Sequence, residues 1–288
     1  MKVWQETLLK KVVSAIGLVA PSLSGEIALR FFTTPHRIPR PEWERKLVAE
    51  GAPLALKSGL SATSWGEPGR PVVILVHGWQ GRGSQLGQLA RPLVAKGFRV
   101  VAIDGPAHGD SPGTRINVNL FAHFIRDVAA ELSGATDDRA PGAPAVPVHV
   151  VAHSFGASAT GLAVLNGAPI TSAVLVASPS DFQKVVDFYA RRMGLSARVK
   201  KSFEGRLAAW IKLKPGQSDL ARAGTGVRIP ILIVHDPADQ EVTFENAQRF
   251  VESWPTARLL ALEKVGHYKI LKSQAFIQAV VEFVAATA

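Results

Sequence analysis

Runs of consecutive β-branched and aliphatic residues recur along the chain, separated by segments whose apolar positions repeat with helical period. The first strong run, VVILV at residues 72–76, contains no polar position, which is the pattern of a strand covered on both faces. FRVVAID (98–104), PVHVVAH (147–153), ITSAVLVA (170–177) and IPILIV (229–234) repeat that pattern, and RLLALEKV (258–265) reads as a last strand. Between them the spacing predicts helices over about 85–96, 118–132, 155–167 and 244–253, with a final helix from Ile270 onward. Strands and helices that alternate in this way imply right-handed crossovers and a parallel sheet.

Three regions stand outside the alternation. Weak period-two patterns over Pro53–Lys57 and Leu60–Trp65, split by Ser58-Gly59, predict an antiparallel hairpin at a sheet edge. Before it, short apolar runs at Val12–Ala20 and Ile27–Phe32 predict a helical arm, joined by the proline-rich and charged residues 35–45, which read as an extended linker. Residues 181–222 form an insertion of amphipathic helices, FQKVVDFYARRM and FEGRLAAWIKL among them, dense in Arg and Lys. Gly134–Pro147 reads as a flexible surface connection.

Two turns in this pattern carry chemistry. Ala152-His153-Ser154-Phe155-Gly156 leads from a buried strand straight into a small-residue helix, so Ser154 sits on a sharp turn whose flanking positions must be small. Alanine stands at the first of those positions where glycine is commoner, and the five-residue pattern alone recurs by chance; its place between strand and helix gives it weight. The second turn, His77-Gly78-Trp79-Gln80-Gly81-Arg82-Gly83-Ser84, ends the first strong strand. Backbone N–H groups of such a loop can hold an anion or a developing oxyanion. The lysine and Ser/Thr ending of a phosphate loop is missing, which favours the oxyanion reading.

Composition narrows the chemistry further. The 288 residues contain no cysteine, so disulfides, thiolate catalysis and thiolate metal sites are excluded. A formal charge of +10 invites comparison with nucleic-acid binders, but no nucleic-acid motif accompanies it, and a basic surface is the simpler reading. The apolar run at Val12–Ala20 is too short to span a bilayer. Glu6 and the late Lys10-Lys11 pair are atypical of a secretory signal, so the expected location is the cytoplasm. The arm is expected to serve packing, a homodimer or peripheral membrane contact more than chemistry.

Taken in order, His77-Gly78-Trp79, then Asp104-Gly105-Pro106-Ala107-His108-Gly109-Asp110-Ser111, then Ala152-His153-Ser154-Phe155-Gly156 resemble the signature of the α/β-hydrolase fold, over a span from about residue 53 to the C-terminus. The resemblance implies a mostly parallel, doubly wound α/β sheet of about eight strands with flanking helices. Residues 1–40 would be the helical arm and linker, 41–180 and 223–288 the two parts of the core, and 181–222 a helical cap over the pocket. It implies Ser154 as nucleophile, His267 as general base and an orienting acid shortly after the strand at 229–234. Asp239 matches that position better than Asp236, which is expected to satisfy local backbone N–H groups. The chain order Ser154, Asp239, His267 is the one such a fold requires.

By the same resemblance the backbone N–H groups of Phe155 and Trp79 would bind the oxyanion. Gly78 and His153 would stand beside the substrate, and Phe182, Phe188, Tyr189 and Trp210 are expected to line an acyl pocket, unless some of them only hold the cap on. His77 and His108 are expected to brace loops, and His235 to be a buried neighbour of the site. No metal or cofactor is called for. The implied activity is serine hydrolysis of a small carboxylic ester through an acyl-enzyme. Thioesterase, lactonase, carbon-carbon bond hydrolase and a non-catalytic binding protein of the same fold stay open, and nucleic acid is not an expected partner.

Overall fold

The computed structural model describes residues 3–134 and 145–288; most of the surface connection expected at 134–147 lies outside them. Helices α1 (Val3–Val19) and α2 (Pro21–Thr33) form the arm, followed by α3 (Glu42–Ala49). Strands β1 (Ala52–Pro53), β2 (Ala62–Trp65) and β3 (Val72–Val76) come next, then a 3-10 turn at Gly83–Leu89 running into α4 (Ala90–Ala95). Strand β4 (Arg99–Ile103), α5 (Val118–Ser133), β5 (Val148–His153), α6 (Phe155–Leu165) and β6 (Ser172–Val176) complete the first half. The second half runs through α7 (Phe182–Met193), α8 (Ala197–Ile211), the short α9 (Leu220–Ala223), β7 (Ile231–His235) and α10 (Glu245–Ser253). It ends with β8 (Ala257–Ala261), the single turn α11 (Gly266–Lys269) and α12 (Gln274–Ala286).

The eight strands make one sheet in the order β1-β2-β4-β3-β5-β6-β7-β8. The hairpin β1-β2 joins antiparallel at the edge, and all pairings from β4 to β8 are parallel. Strands β3, β5, β6 and β7 are buried at every position, as unbroken aliphatic runs require when helices cover both faces. One face is packed by α5, α6 and α10 through Phe121, Ile125, Leu162 and Phe250. The other is packed by α4 and α12 through Leu89, Leu93, Phe276 and Val280. Helix α6 has no polar stripe because it lies buried between the sheet and α5, and its glycines, alanines and Thr160 permit that close packing.

Two local expectations change. Helix α3 occupies part of the stretch read as an extended linker. Pro41 opens it in an extended conformation, Glu42 and Glu44 complement its first turn, and Glu44 is buried where it accepts from Ser84 Oγ at 2.5 Å and faces Arg82 Nε at 3.4 Å. Only residues 34–41 remain extended, pinned by Arg37, which donates to the carbonyls of Gly109 and Ser111 at 2.7 and 2.6 Å. The first strand of the hairpin is also shorter than its sequence pattern and ends at Pro53.

The insertion after β6 is helical, as expected. Asp181 caps α7 by accepting from Gln183 N at 2.9 Å, and Ser196 caps α8. These two helices do not stand alone, because the arm packs on them: Leu9 and Val13 of α1 meet Met193 and Val199 in one buried cluster. Phe32 of α2 has its ring 4.8 Å from Tyr189, 5.5 Å from Phe203 and 6.4 Å from Phe182. Tyr189 Oη donates to the Ala28 carbonyl at 2.9 Å. Arm and insertion therefore form one four-helix roof. Phe32→Ala should cost about 2–3 kcal/mol, since it empties the junction of both segments; urea unfolding measures it, and a loss below about 0.5 kcal/mol would mean that the two segments are not packed as one unit.

Candidate active site

The site is built where β3, β5, β7 and β8 end. Leaving β5, the backbone turns at Ser154 with φ 52° and ψ −119°, a conformation that L-residues rarely adopt and that lifts the hydroxyl clear of the sheet. The turn is fixed on both sides. Ser154 N–H donates to the Val176 carbonyl at 2.8 Å, and Gly156 passes so close to β3 that a Cβ there would run into the His77 carbonyl. Gly78 is pressed against the same turn, since a Cβ on it would lie 2.9 Å from His153 Nδ1 and 3.1 Å from Ser154 Cβ. The loop after β3 and the turn after β5 therefore share one small volume.

His267 lies at the start of the single turn α11, not in open loop, with its Nε2 3.0 Å from Ser154 Oγ. Its Nδ1 is 2.7 Å from Asp239 Oδ2, in the loop after β7. The remaining oxygen of Asp239 accepts from Glu241 N and Val242 N at 2.8 and 3.0 Å. Burial pushes the Asp239 carboxyl up, but the hydrogen bond from His267 and those two amides outweigh it and hold it below the ordinary carboxylate range. Asp239 is therefore charged and aimed at the imidazole.

Asp236 makes a different set of contacts. It accepts from Ala238 N at 2.9 Å in its own turn, and from Val265 N at 2.7 Å and Gly266 N at 2.5 Å across the gap. It thus ties the loop that carries the acid to the loop that carries the histidine. The expectation of a turn residue captured the first contact and missed the other two.

The side expected to receive an oxyanion is arranged around Trp79 and Phe155. Phe155 N–H is the first of α6, one of the amides a helix leaves without an internal partner. The rings of Trp79 and Phe155 meet edge to face at 5.3 Å, and Gln80, at φ 58°, bends the loop beyond them. His77 braces this loop: its Nδ1 donates to the Gly78 carbonyl at 2.7 Å and its Nε2 accepts from Gly105 N at 2.8 Å. His108 packs against it at 4.8 Å between ring centres. His153 Nε2 donates to the His267 carbonyl at 2.9 Å, and His235 Nε2 to the Val242 carbonyl at 2.8 Å, so they steady the loops that carry His267 and Asp239.

Four buried imidazoles, those of His77, His108, His153 and of His149 on β5, sit in the protein uncharged. Burial is the main cause that lowers His77 and His149 to about 4 and His108 and His153 to about 3. In the unfolded chain each takes up a proton near pH 6.5. Between about pH 6.5 and 4 the unfolded state therefore binds more protons, and stability falls as pH falls, by about 1.4 kcal/mol per pH unit for each fully neutral histidine. Denaturant midpoints at pH 7 and pH 5 test this, and equal midpoints would contradict it.

Above the three polar residues opens a cavity of about 730 Å³, with far more apolar than polar surface. Ser154, His267, Gly78, Trp79, His153 and Phe155 form its floor. Phe182 and Tyr189 of α7 line the roof as expected. Trp210 is not among the lining residues: its ring lies under the Arg115 guanidinium, 4.6 Å away. Leu9, Phe31, Phe32, Thr33 and Ile38 do line it, so the arm is part of the pocket wall, contrary to the expectation that it stands apart from the chemistry. The adjacent phenylalanines Phe31 and Phe32, about 100° apart around α2, are a signal in the sequence for this contact.

Comparison with known proteins agrees with the geometry. A family model described as serine aminopeptidase, S33, matches residues 67–207. Monoglyceride lipase of Rattus norvegicus is 23% identical over 84% of this chain and 88% of its own length. Monoacylglycerol lipase of Mycolicibacterium smegmatis is 31% identical, over 30% of each chain. Among solved structures, the monoacylglycerol lipase of Paleococcus ferrophilus superposes with a TM-score of 0.58 at 21% identity, covering 80% of this chain and 99% of that one. The thioesterase domain of a curacin biosynthetic pathway gives 0.57 at 20% identity, covering 81% and 99%. At such identities the structures speak for the fold alone. With the strand order, the turn at Ser154 and these matches in agreement, the chain has the α/β-hydrolase fold.

Proposed function

We propose that the protein is a serine hydrolase that cleaves carboxylic esters with a medium or long acyl chain, of the kind the monoacylglycerol lipases among its relatives are named for. The observation that carries this reading is the hydrogen-bonded chain Ser154–His267–Asp239, at 3.0 and 2.7 Å, on the floor of a large apolar cavity. In the proposed cycle His267 Nε2 takes the Ser154 proton as Oγ attacks the acyl carbon, and Asp239 holds the Nδ1–H tautomer and stabilises the imidazolium. The Phe155 and Trp79 N–H groups receive the negative charge that develops on the carbonyl oxygen, each worth about 3–4 kcal/mol of barrier. His267 then returns the proton to the leaving alcohol, and water, activated by the same imidazole, releases the acid. The apolar wall formed by Phe32, Phe182 and Tyr189 accounts for the preference for an acyl chain over a small acyl group.

A fluorophosphonate probe with intact-mass detection tests the first step. One adduct on the wild type and none on Ser154→Ala is the expected result. A panel of monoacylglycerols, simple esters, thioesters and lactones of graded chain length then tests the substrate class, and turnover of thioesters above all oxygen esters would reassign it.

A further inference from the structure

The charge of this protein is not spread over it. Residues 1–40 and 181–222 contain 16 of the 33 Lys and Arg residues but only 6 of the 23 Asp and Glu, so the entire formal charge of +10 belongs to the arm and the cap, while the remaining residues balance at 17 against 17. Among the described residues, large exposed apolar side chains gather on the same two segments. Leu8, Val12 and Val19 form one stripe along α1 with Leu18 beside it, and Phe31 on α2 and Phe188 on α7 are exposed as well. Leu18 and Val19 are 85% and 86% exposed, values that leave these side chains with almost no intramolecular role. Phe31 and Phe188 are exposed and also line the cavity, so the cavity reaches the surface through the roof.

We propose that the outer face of the arm-and-cap roof docks on an anionic lipid surface, with the exposed side chains of α1 and α2 in the interface and the cations of the roof facing the headgroups. An apolar stripe flanked by Lys and Arg is the pattern that binds at a membrane interface without spanning it, and none of the described helices is long and apolar enough to cross. A second copy of the chain is a poor occupant of the same face, because a two-fold contact would bring like charge against like charge. Docking brings the pocket mouth to the bilayer, so an acyl substrate would enter from the lipid without crossing water. That last consequence rests on the esterase reading; the docking does not.

Co-sedimentation with phosphatidylcholine vesicles, with and without phosphatidylglycerol, tests the docking directly and uses the full chain. The wild type should partition onto the anionic vesicles, and high salt should release it. Leu18→Ser with Val19→Ser should weaken partition about tenfold while leaving the unfolding transition unchanged, and Lys11→Glu should weaken it at least fivefold. Ser154→Ala should bind as the wild type does, which separates this test from the fate of the esterase reading. Equal partition onto neutral and anionic vesicles, or unchanged binding by the Leu18/Val19 variant, would overturn the proposal. Self-association removed by the same two substitutions, without vesicle binding, would assign the face to a second copy.

Discussion

Ser154→Ala should lower ester turnover by about 10⁵-fold and leave the fold in place. The loss is large because the Oγ is the hydroxyl that faces the cavity within reach of His267 Nε2, at 3.0 Å. The fold survives because everything that holds the turn is backbone or neighbour: Ser154 N–H to Val176, Ser158 N–H to the Ser154 carbonyl at 3.0 Å, and the close approach of Gly156 to β3. The serine side chain makes no capping bond to α6, so its removal costs the helix nothing. Steady-state hydrolysis of a chromogenic ester, with urea unfolding on the same samples, measures both halves. Turnover above about one percent of wild type, in a preparation free of wild-type enzyme, would end the nucleophile assignment.

Asp239→Asn and Asp236→Asn should separate two roles that the sequence leaves three residues apart. At 239 the amide should cost about 10⁴-fold in kcat, because an Asn no longer fixes the Nδ1–H tautomer or balances the imidazolium. Its effect on folding should be smaller, since the hydrogen bonds to Glu241 N and Val242 N survive with the carbonyl oxygen in place of Oδ1. At 236 the order reverses. The carboxylate accepts from amides on two loops, and an Asn has one accepting oxygen where two are used, so about 1–3 kcal/mol of stability should be lost. Activity there should fall by far less than at 239. Burial raises the Asp236 carboxyl, but the Gly266, Ala238 and Val265 amides outweigh it and hold it below the ordinary carboxylate range. Its contribution is therefore present above about pH 4 and is lost as pH falls through the lowered folded value. Kinetic and denaturation measurements on both variants decide the ranking.

The parts of this protein that were legible in its sequence are those governed by local rules. Aliphatic runs gave β3 to β7 because a strand covered on both faces tolerates no polar position, and Ala152 and Gly156 marked the turn because only small residues fit there. The three polar residues of the site were readable from their order along the chain, since each follows a strand whose end the topology brings to one edge. What escaped was set by distant packing. Helix α3 forms because Glu44 finds Arg82 and Ser84, forty residues away in a loop whose shape no local pattern encodes. Trp210 looked like a pocket aromatic, yet its stacking partner Arg115 comes from the other side of the chain. The arm looked like an accessory because its partners, Tyr189, Met193, Val199 and Phe203, lie in the cap, far along the chain from it.

The two-segment roof also sets a timetable for synthesis. The arm emerges from the ribosome before the cap, and the helices that cover Leu9, Val13 and Phe32 are not complete until residue 211, some 180 residues later. At roughly 5–20 residues per second the nascent arm waits on the order of 10–40 s with its inward face bare. Throughout that interval the central strands are being laid down beside it, and an amphipathic helix with no covering partner competes for their apolar faces. Folding yield in the cell should therefore depend on what shelters the first thirty residues before the cap arrives, and a chain translated faster over its middle section would shorten the exposure.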